Sequence, residues 1–198
     1  MKTLYLATQN AHKIEELSAL LGDHFLIRSI SELTITEDIP ETGLTLAENS
    51  MQKARYVAER FGVTCLADDS GLEVHALNGA PGVFSARYAG EPKNDDANCA
   101  KLLLEMQNVS NRQARFVTVL TFHDNGHFVQ FEGEVSGEIM HEARGQQGFG
   151  YDPLFTPSGE TRTFAEMSLS EKNKIAHRAR ALEKFKLFVD ESLLFHDE

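Results

Sequence analysis

The sequence predicts an α/β fold built on a mixed, twisted sheet, and three observations carry that reading. Strand and helix signals alternate through the first half of the chain. Capping-box patterns, a Thr or Ser followed three residues later by Glu, open two of the helices. A hairpin rich in Val, Thr and Phe then breaks the alternation, so the sheet is not the purely parallel kind that strict β-α repetition gives.

Residues 2 to 7 read as a first strand. Asn10 caps a helix whose apolar residues Ile14, Leu17, Leu20 and Leu21 share one face, and Gly22 ends it. The path from 22 to 40 carries no decisive signal. Thr45-Leu46-Ala47-Glu48 opens a second helix, with Met51, Ala54, Ala58 and Phe61 at helical spacing and Gly62 as its stop. Val63 to Ala67 reads as a short buried strand. A third helix, from about Asp95 to Met106, offers Cys99, Leu102, Leu103 and Met106 to the core. Arg115 to His123 and Phe128 to Val135 form the hairpin, joined at Asn125-Gly126, the signature of a type I′ turn. Ser168-Leu169-Ser170-Glu171 opens a last amphipathic helix carrying Ile175, Ala179, Leu182, Phe185 and Val189.

Composition narrows the function. With 198 residues and 41% apolar content the chain forms a core without disulfides, and no linker, repeat or low-complexity tract divides it. A single domain over 1–198 is the expectation. The net charge of −11 argues against duplex DNA or an anionic membrane as partner. Cys65 and Cys99 have neither Cys-x-x-Cys spacing nor flanking His, which speaks against zinc and fits a reducing cytoplasm. The apolar run at the N-terminus is too short for a signal peptide or a membrane span.

Four segments can carry chemistry. Ala67-Asp68-Asp69-Ser70-Gly71-Leu72 sets two carboxylates at the end of an apolar strand. They face opposite sides unless the chain turns, and Ser70-Gly71 is a turn signal. Hard oxygen ligands there suit Mg²⁺, with Glu41 as a third acid; an ordinary strand-to-turn junction has the same composition. Thr8-Gln9-Asn10-Ala11-His12-Lys13 is a strand-helix junction whose free N–H groups attract phosphate. Lys13 there opposes the helix dipole unless an anion binds, although a plain Asn cap with a solvated Lys reads equally well. In Gly148-Phe149-Gly150-Tyr151-Asp152-Pro153 the glycines allow close backbone approach, and Phe149 suits stacking on a base or filling the core. Lys172, Lys174, His177 and Arg178 form a basic cluster that also reads as a solvated face. In one regular helix Lys172 and His177 project about 140° apart, so either the helix starts later or a ligand is gripped from two sides. Lys53, on the second helix, is a further phosphate or scaffold contact.

Taken together and in order, these motifs resemble the inosine triphosphate pyrophosphatase family. The resemblance rests on Leu6-Ala7-Thr8-Gln9-Asn10 with Lys13, Glu41-Thr42-Gly43-Leu44-Thr45, Glu48-Asn49 with Lys53-Ala54-Arg55, Ala67 to Leu72, Gly79-Ala80-Pro81-Gly82 leading to Ser85-Ala86-Arg87-Tyr88, Phe149 to Pro153, and His177-Arg178. It implies an elongated, two-lobed α/β molecule with a nucleotide-binding cleft between the lobes, usually a homodimer with Mg²⁺ as cofactor. The implied reaction converts ITP, dITP or XTP to the monophosphate and pyrophosphate. Asp69 takes the catalytic base position and Glu41 that of a metal-coordinating acid. Thr8, Gln9, Asn10, Ala11, His12, Lys13, Ser70, Phe149, Gly150, Tyr151, Asp152, Lys172, His177 and Arg178 fall at nucleotide-contacting positions. On that basis Glu41 and Asp69, with Asp68, hold Mg²⁺, while Lys13, Lys53 and Lys172 spread positive charge along the triphosphate. One departure is Gln9, where the family commonly has Gly; a positive φ there would strain Gln.

Overall fold

The computed structural model describes residues 2–35 and 39–194, with side chains described through residue 191. Strand β1 (Lys2–Leu6) leads into helix α1 (Ala11–Leu21), and Asn10 caps that helix by accepting from the N–H groups of His12 and Lys13. Gly22 closes the helix with ordinary right-handed angles, so it acts there through its size. The segment that the sequence left open contains β2 (Phe25–Ser29), paired parallel to β1, and a 3₁₀ turn at Ile30–Leu33.

Helix α2 (Leu46–Phe61) starts where the pattern predicts. Thr45 and Glu48 complete the reciprocal capping box, and Gly62, at φ 63°, ends the helix in the left-handed conformation. Strand β3 (Cys65–Val74) differs from expectation. It runs straight through Asp68-Asp69-Ser70-Gly71, and the turn that Ser70-Gly71 suggests does not form. Two tertiary features favour extension over the local preference. The carboxylates meet cations from other elements, and Gly71 lies so close to the next loop that a Cβ would sit 2.4 Å from the Gly82 carbonyl oxygen. Because successive strand residues face opposite sides, Asp68 and Asp69 take different partners.

Helix α3 (Asp95–Glu105) buries Leu102, with Met106 at its C-cap also buried. The arms of the hairpin, β4 (Gln113–Asp124) and β5 (His127–Ile139), are longer than predicted. Asn125 and Gly126 both take positive φ, 47° and 82°, as a type I′ turn requires. Strand β6 (Phe155–Pro157) adds antiparallel to β5, and the sheet order is β2-β1-β3-β4-β5-β6. Parallel pairs at one edge and an antiparallel pair at the other make it a mixed sheet.

The last helix is two helices. The Ser168 box opens α4 (Leu169–Lys172), which stops at once, and α5 (His177–Leu194) starts afresh. The angular conflict between Lys172 and His177 therefore belongs to a single helix that the chain does not form.

The chain divides into two compact units, Met1–Asp69 with Thr118–Gly133 and Arg178–Glu198, and Ser70–Val117 with Glu134–His177. In the first, Leu4, Leu6, Leu17, Leu66 and Phe185 centre one core cluster, and Ala54, Val57 and Ala67 centre another. In the second, Leu72, Phe116, Phe155 and Phe164 anchor a single core.

Candidate functional site

In the first unit, β3 carries Asp68 and Asp69 into a buried charge cluster. Asp68 is fully buried, and its Oδ1 lies 2.5 Å from Lys13 Nζ on α1. Its Oδ2 accepts from Arg178 Nε at 2.7 Å, at the start of α5. The same guanidinium, 2% exposed, donates through a second nitrogen to Glu16 on α1. Burial alone would raise the Asp68 carboxyl, but Arg178 and Lys13 outweigh it and hold it well below the usual carboxylate range.

Asp69 meets a different set. Its Oδ1 accepts from Lys53 Nζ at 2.7 Å, and Lys53 also donates to Glu41 Oε1 at 3.0 Å and to the Asp68 carbonyl oxygen at 2.7 Å. Burial raises the Asp69 carboxyl above its ordinary value, against the pull of Lys53 and Lys13. Among the described residues Asp69 Oδ2 is buried and accepts no hydrogen bond. A buried carboxylate oxygen without a protein donor is suited to a cation or a water.

The cation at the first turn of α1 finds its anion within the protein. Lys13 donates to the Asp68 carbonyl oxygen at 3.3 Å besides pairing with the Asp68 carboxylate, and burial lowers its pKa. Gln9, Asn10, Ala11 and His12 are exposed at the N-terminus of α1, and Thr8 is partly buried. Gln9 does not have positive φ, so the side chain that replaces the family's usual Gly carries no backbone strain.

The second unit assembles the Gly-rich segment with Lys172. Asp152 Oδ2 accepts from Lys172 Nζ at 2.7 Å and from the Phe149 backbone N–H at 2.9 Å, and both charged side chains are buried. The Lys172 ammonium lies 4.9 Å from the centre of the Phe149 ring, a cation–π distance. Phe149 and Gly150 are partly exposed. Gly150 N–H donates to Asp95 at 2.7 Å, and the Tyr151 hydroxyl donates to the Ser85 carbonyl oxygen at 2.8 Å, which fixes the loop from two sides. The His177 ring stacks on Phe116 at 4.8 Å. Ser70 is partly buried on β3. Of the basic run, Lys172, His177 and Arg178 are buried and only Lys174 has the solvated character such runs usually show.

Gly148 has φ 76°, and a Cβ on it would lie 2.1 Å from Asp152 Oδ2, an oxygen already held by two donors. Gly148→Ala is therefore expected to cost about 1–2 kcal/mol from backbone conformation alone, before the Asp152–Lys172 pair is disturbed. A denaturant melt measures it.

Of the residues the sequence nominates, the structure brings Lys13, Glu41, Lys53, Asp68, Asp69 and Arg178 into one cluster, and Phe149, Asp152 and Lys172 into another; the sequence reading put Glu41, Asp68 and Asp69 on the metal and spread Lys13, Lys53 and Lys172 along the triphosphate. It missed Glu16 and Asp95. Glu16 has one weak signal, its place three residues after Lys13 on the same helix; Asp95 reads only as a helix-start acid.

Two carboxylates that share Lys53, one with an oxygen lacking a protein donor, fit a hard divalent cation. Among the described residues no three His, Cys, Asp or Glu side chains surround one position. The Asp68 carboxylate is engaged by Lys13 and Arg178, which leaves Glu41 and Asp69 as the acids that fit.

Fold and site define a class: a mixed α/β protein with paired aspartates on a central strand, set among lysines and an arginine, with two acids that fit a divalent cation. The chain belongs to the Ham1 family, which its residues 4–188 match. It is 50% identical over 178 residues to a dITP/XTP pyrophosphatase of Christiangramia forsetii, covering 90% of this chain and 94% of that one. It is 48% identical over 190 residues to a dITP/XTP pyrophosphatase of Porphyromonas gingivalis, covering 96% and 98%. Among solved structures, the Ham1 protein of Staphylococcus aureus superposes with TM-score 0.88 at 41% identity, and a HAM1 protein of Coxiella burnetii with 0.89 at 41%. Each comparison covers 96% of this chain and 100% of the other.

Proposed function

We propose that the chain is a Mg²⁺-dependent pyrophosphohydrolase that converts dITP, XTP and ITP to the nucleoside monophosphate and pyrophosphate. The observation that carries this reading is Asp69, a buried carboxylate raised in pKa, with one oxygen on Lys53 and the other without a protein donor. The names of the relatives support the substrate class.

The site carries its own electrostatic argument for a metal. Lys13, Lys53 and Arg178 face Glu16, Glu41, Asp68 and Asp69, which leaves the cluster one negative charge and unreceptive to a triphosphate. Bound between Glu41 and Asp69, Mg²⁺ would reverse that sign and polarise phosphate oxygens. Asp69 orients the attacking water and takes its proton, for which a carboxylate of raised pKa is better suited than an ordinary one. The new P–O bond forms at the α phosphorus, the bond to the bridging oxygen breaks, and its electron pair leaves with pyrophosphate. Lys13 has a proton beyond its two contacts with Asp68 and is assigned to a phosphate oxygen. Arg178, itself paired with Glu16, holds Asp68, which in turn holds Lys13.

Hypoxanthine and xanthine carry an acceptor oxygen at position 6 where adenine carries an amino group. Donors on Lys172, on His177 and on the backbone of the Phe149–Asp152 segment suit the oxo group, and Phe149 suits stacking on the ring. Sites that pair polar atoms in this way reject the wrong group by factors of about 10⁴. By resemblance the working form is assigned as a homodimer, which sedimentation tests; the cysteine pattern fits a reducing cytoplasm.

Initial rates with dITP, XTP, ITP, dATP and dGTP, each in Mg²⁺ and in EDTA, test the proposal. Rapid metal-dependent turnover of the first three is expected. Equal rates across the panel, or turnover in EDTA, would refute it.

A further inference from the structure

Lys53 is the motif lysine whose surroundings leave no room for a phosphate. An ammonium has three protons. Lys53 Nζ directs them at Asp69 Oδ1 at 2.7 Å, Glu41 Oε1 at 3.0 Å and the Asp68 carbonyl oxygen at 2.7 Å, and its side chain is 6% exposed. Lys13 differs: among the described residues it contacts Asp68 alone, through Oδ1 and the carbonyl oxygen, and keeps a third proton.

We propose that Lys53 is a resident counter-ion which holds Asp69 and Glu41 together as a pair ready for metal, and is a positioning residue, not a phosphate ligand. The inference rests on the metal-dependent reading above. Two carboxylates brought to one lysine repel each other, and the low polarity around buried Asp69 strengthens the repulsion. The ammonium neutralises that repulsion while the site is empty of metal. A divalent cation would be held by the same two carboxylates, so Lys53 and the metal are partial substitutes. A lysine serving the triphosphate would act on nucleotide affinity and leave the metal alone.

The test uses Lys53→Met, which keeps an unbranched chain without charge, and the double variant Lys53→Met with Glu41→Gln. Thermal unfolding is followed with and without Mn²⁺ as the sole added ligand, and the Mn²⁺ dissociation constant is measured by electron paramagnetic resonance. Without metal, Lys53→Met is expected to melt below wild type and the double variant to recover part of the loss. Mn²⁺ should raise the melting temperature of Lys53→Met at least twice as much as that of wild type, and bind about tenfold more tightly through the removed repulsion. Equal Mn²⁺ shifts in the two proteins, or wild-type Mn²⁺ affinity alongside tenfold weaker binding of inorganic tripolyphosphate, overturn the inference. If Lys53→Met does not fold without metal, refolding in Mn²⁺ decides: a native circular dichroism spectrum supports the counter-ion role and its absence overturns it. A wild-type protein that binds no Mn²⁺ sinks the metal-dependent reading itself, whereas normal wild-type binding with no difference in the variant sinks only this inference.

Discussion

Asp69→Asn is expected to lower kcat by about three to four orders of magnitude while leaving the protein folded. The substitution keeps the size of the side chain and removes the charge that would accept a proton and hold the metal. Lys53 retains Glu41 and the Asp68 carbonyl as partners, so the cluster does not collapse. The pH profile adds a signature. Burial raises Asp69 above its ordinary value, and the base works only when ionised, so wild-type kcat/KM falls as decreasing pH protonates it. Asp69→Asn should lose that acidic limb along with its rate. Turnover within tenfold of wild type would show that another group activates the water.

The second large effect is on stability. Arg178 is the shared cation of two buried carboxylates, Asp68 and Glu16, and Arg178→Met leaves both without it. Breaking a buried ion pair from one side costs about 3–5 kcal/mol. For a chain of this length that corresponds to a drop of about 10 °C in melting temperature. The sign of the pH dependence follows from Asp68, whose folded pKa is depressed. Its contribution is fully present above the unfolded carboxylate value near 3.8 and is lost as pH falls through the lower folded value. The gap between wild type and Arg178→Met should accordingly persist across neutral pH and narrow only in strong acid. Thermal unfolding by circular dichroism over that range measures both.

Local signals proved readable where local chemistry alone decides the structure. The Thr45–Glu48 box, the Asn10 cap and the Asn125-Gly126 turn lie where the sequence puts them, because each is settled by a few neighbouring atoms. Asp68-Asp69-Ser70-Gly71 is the opposite case. Its composition favours a turn, yet it stays in β3 since Lys13, Lys53 and Arg178, from three separate helices, neutralise carboxylates that a turn would have carried to water. The Ser168 box also misled by its strength, for it caps a helix of four residues.

Charge clusters share that limit. The motifs nominated Lys13, Lys53, Lys172, Asp68 and Asp69 but not their pairing, so three lysines read as three phosphate ligands. Only the bond pattern separates Lys13, with a proton to give, from Lys53, with none. Glu16 was missed for the same reason, as its partner Arg178 lies at the far end of the chain. Phe149, Asp152 and Lys172 were legible as residues, but not the bonds by which Asp152 joins the Phe149 N–H to the Lys172 ammonium.

The central claim is that water cleaves the anhydride between the α and β phosphates. Phosphorus NMR of dITP turnover in Mg²⁺ tests it most directly: the account predicts dIMP and pyrophosphate appearing in equal amounts, and dIDP with orthophosphate would contradict it.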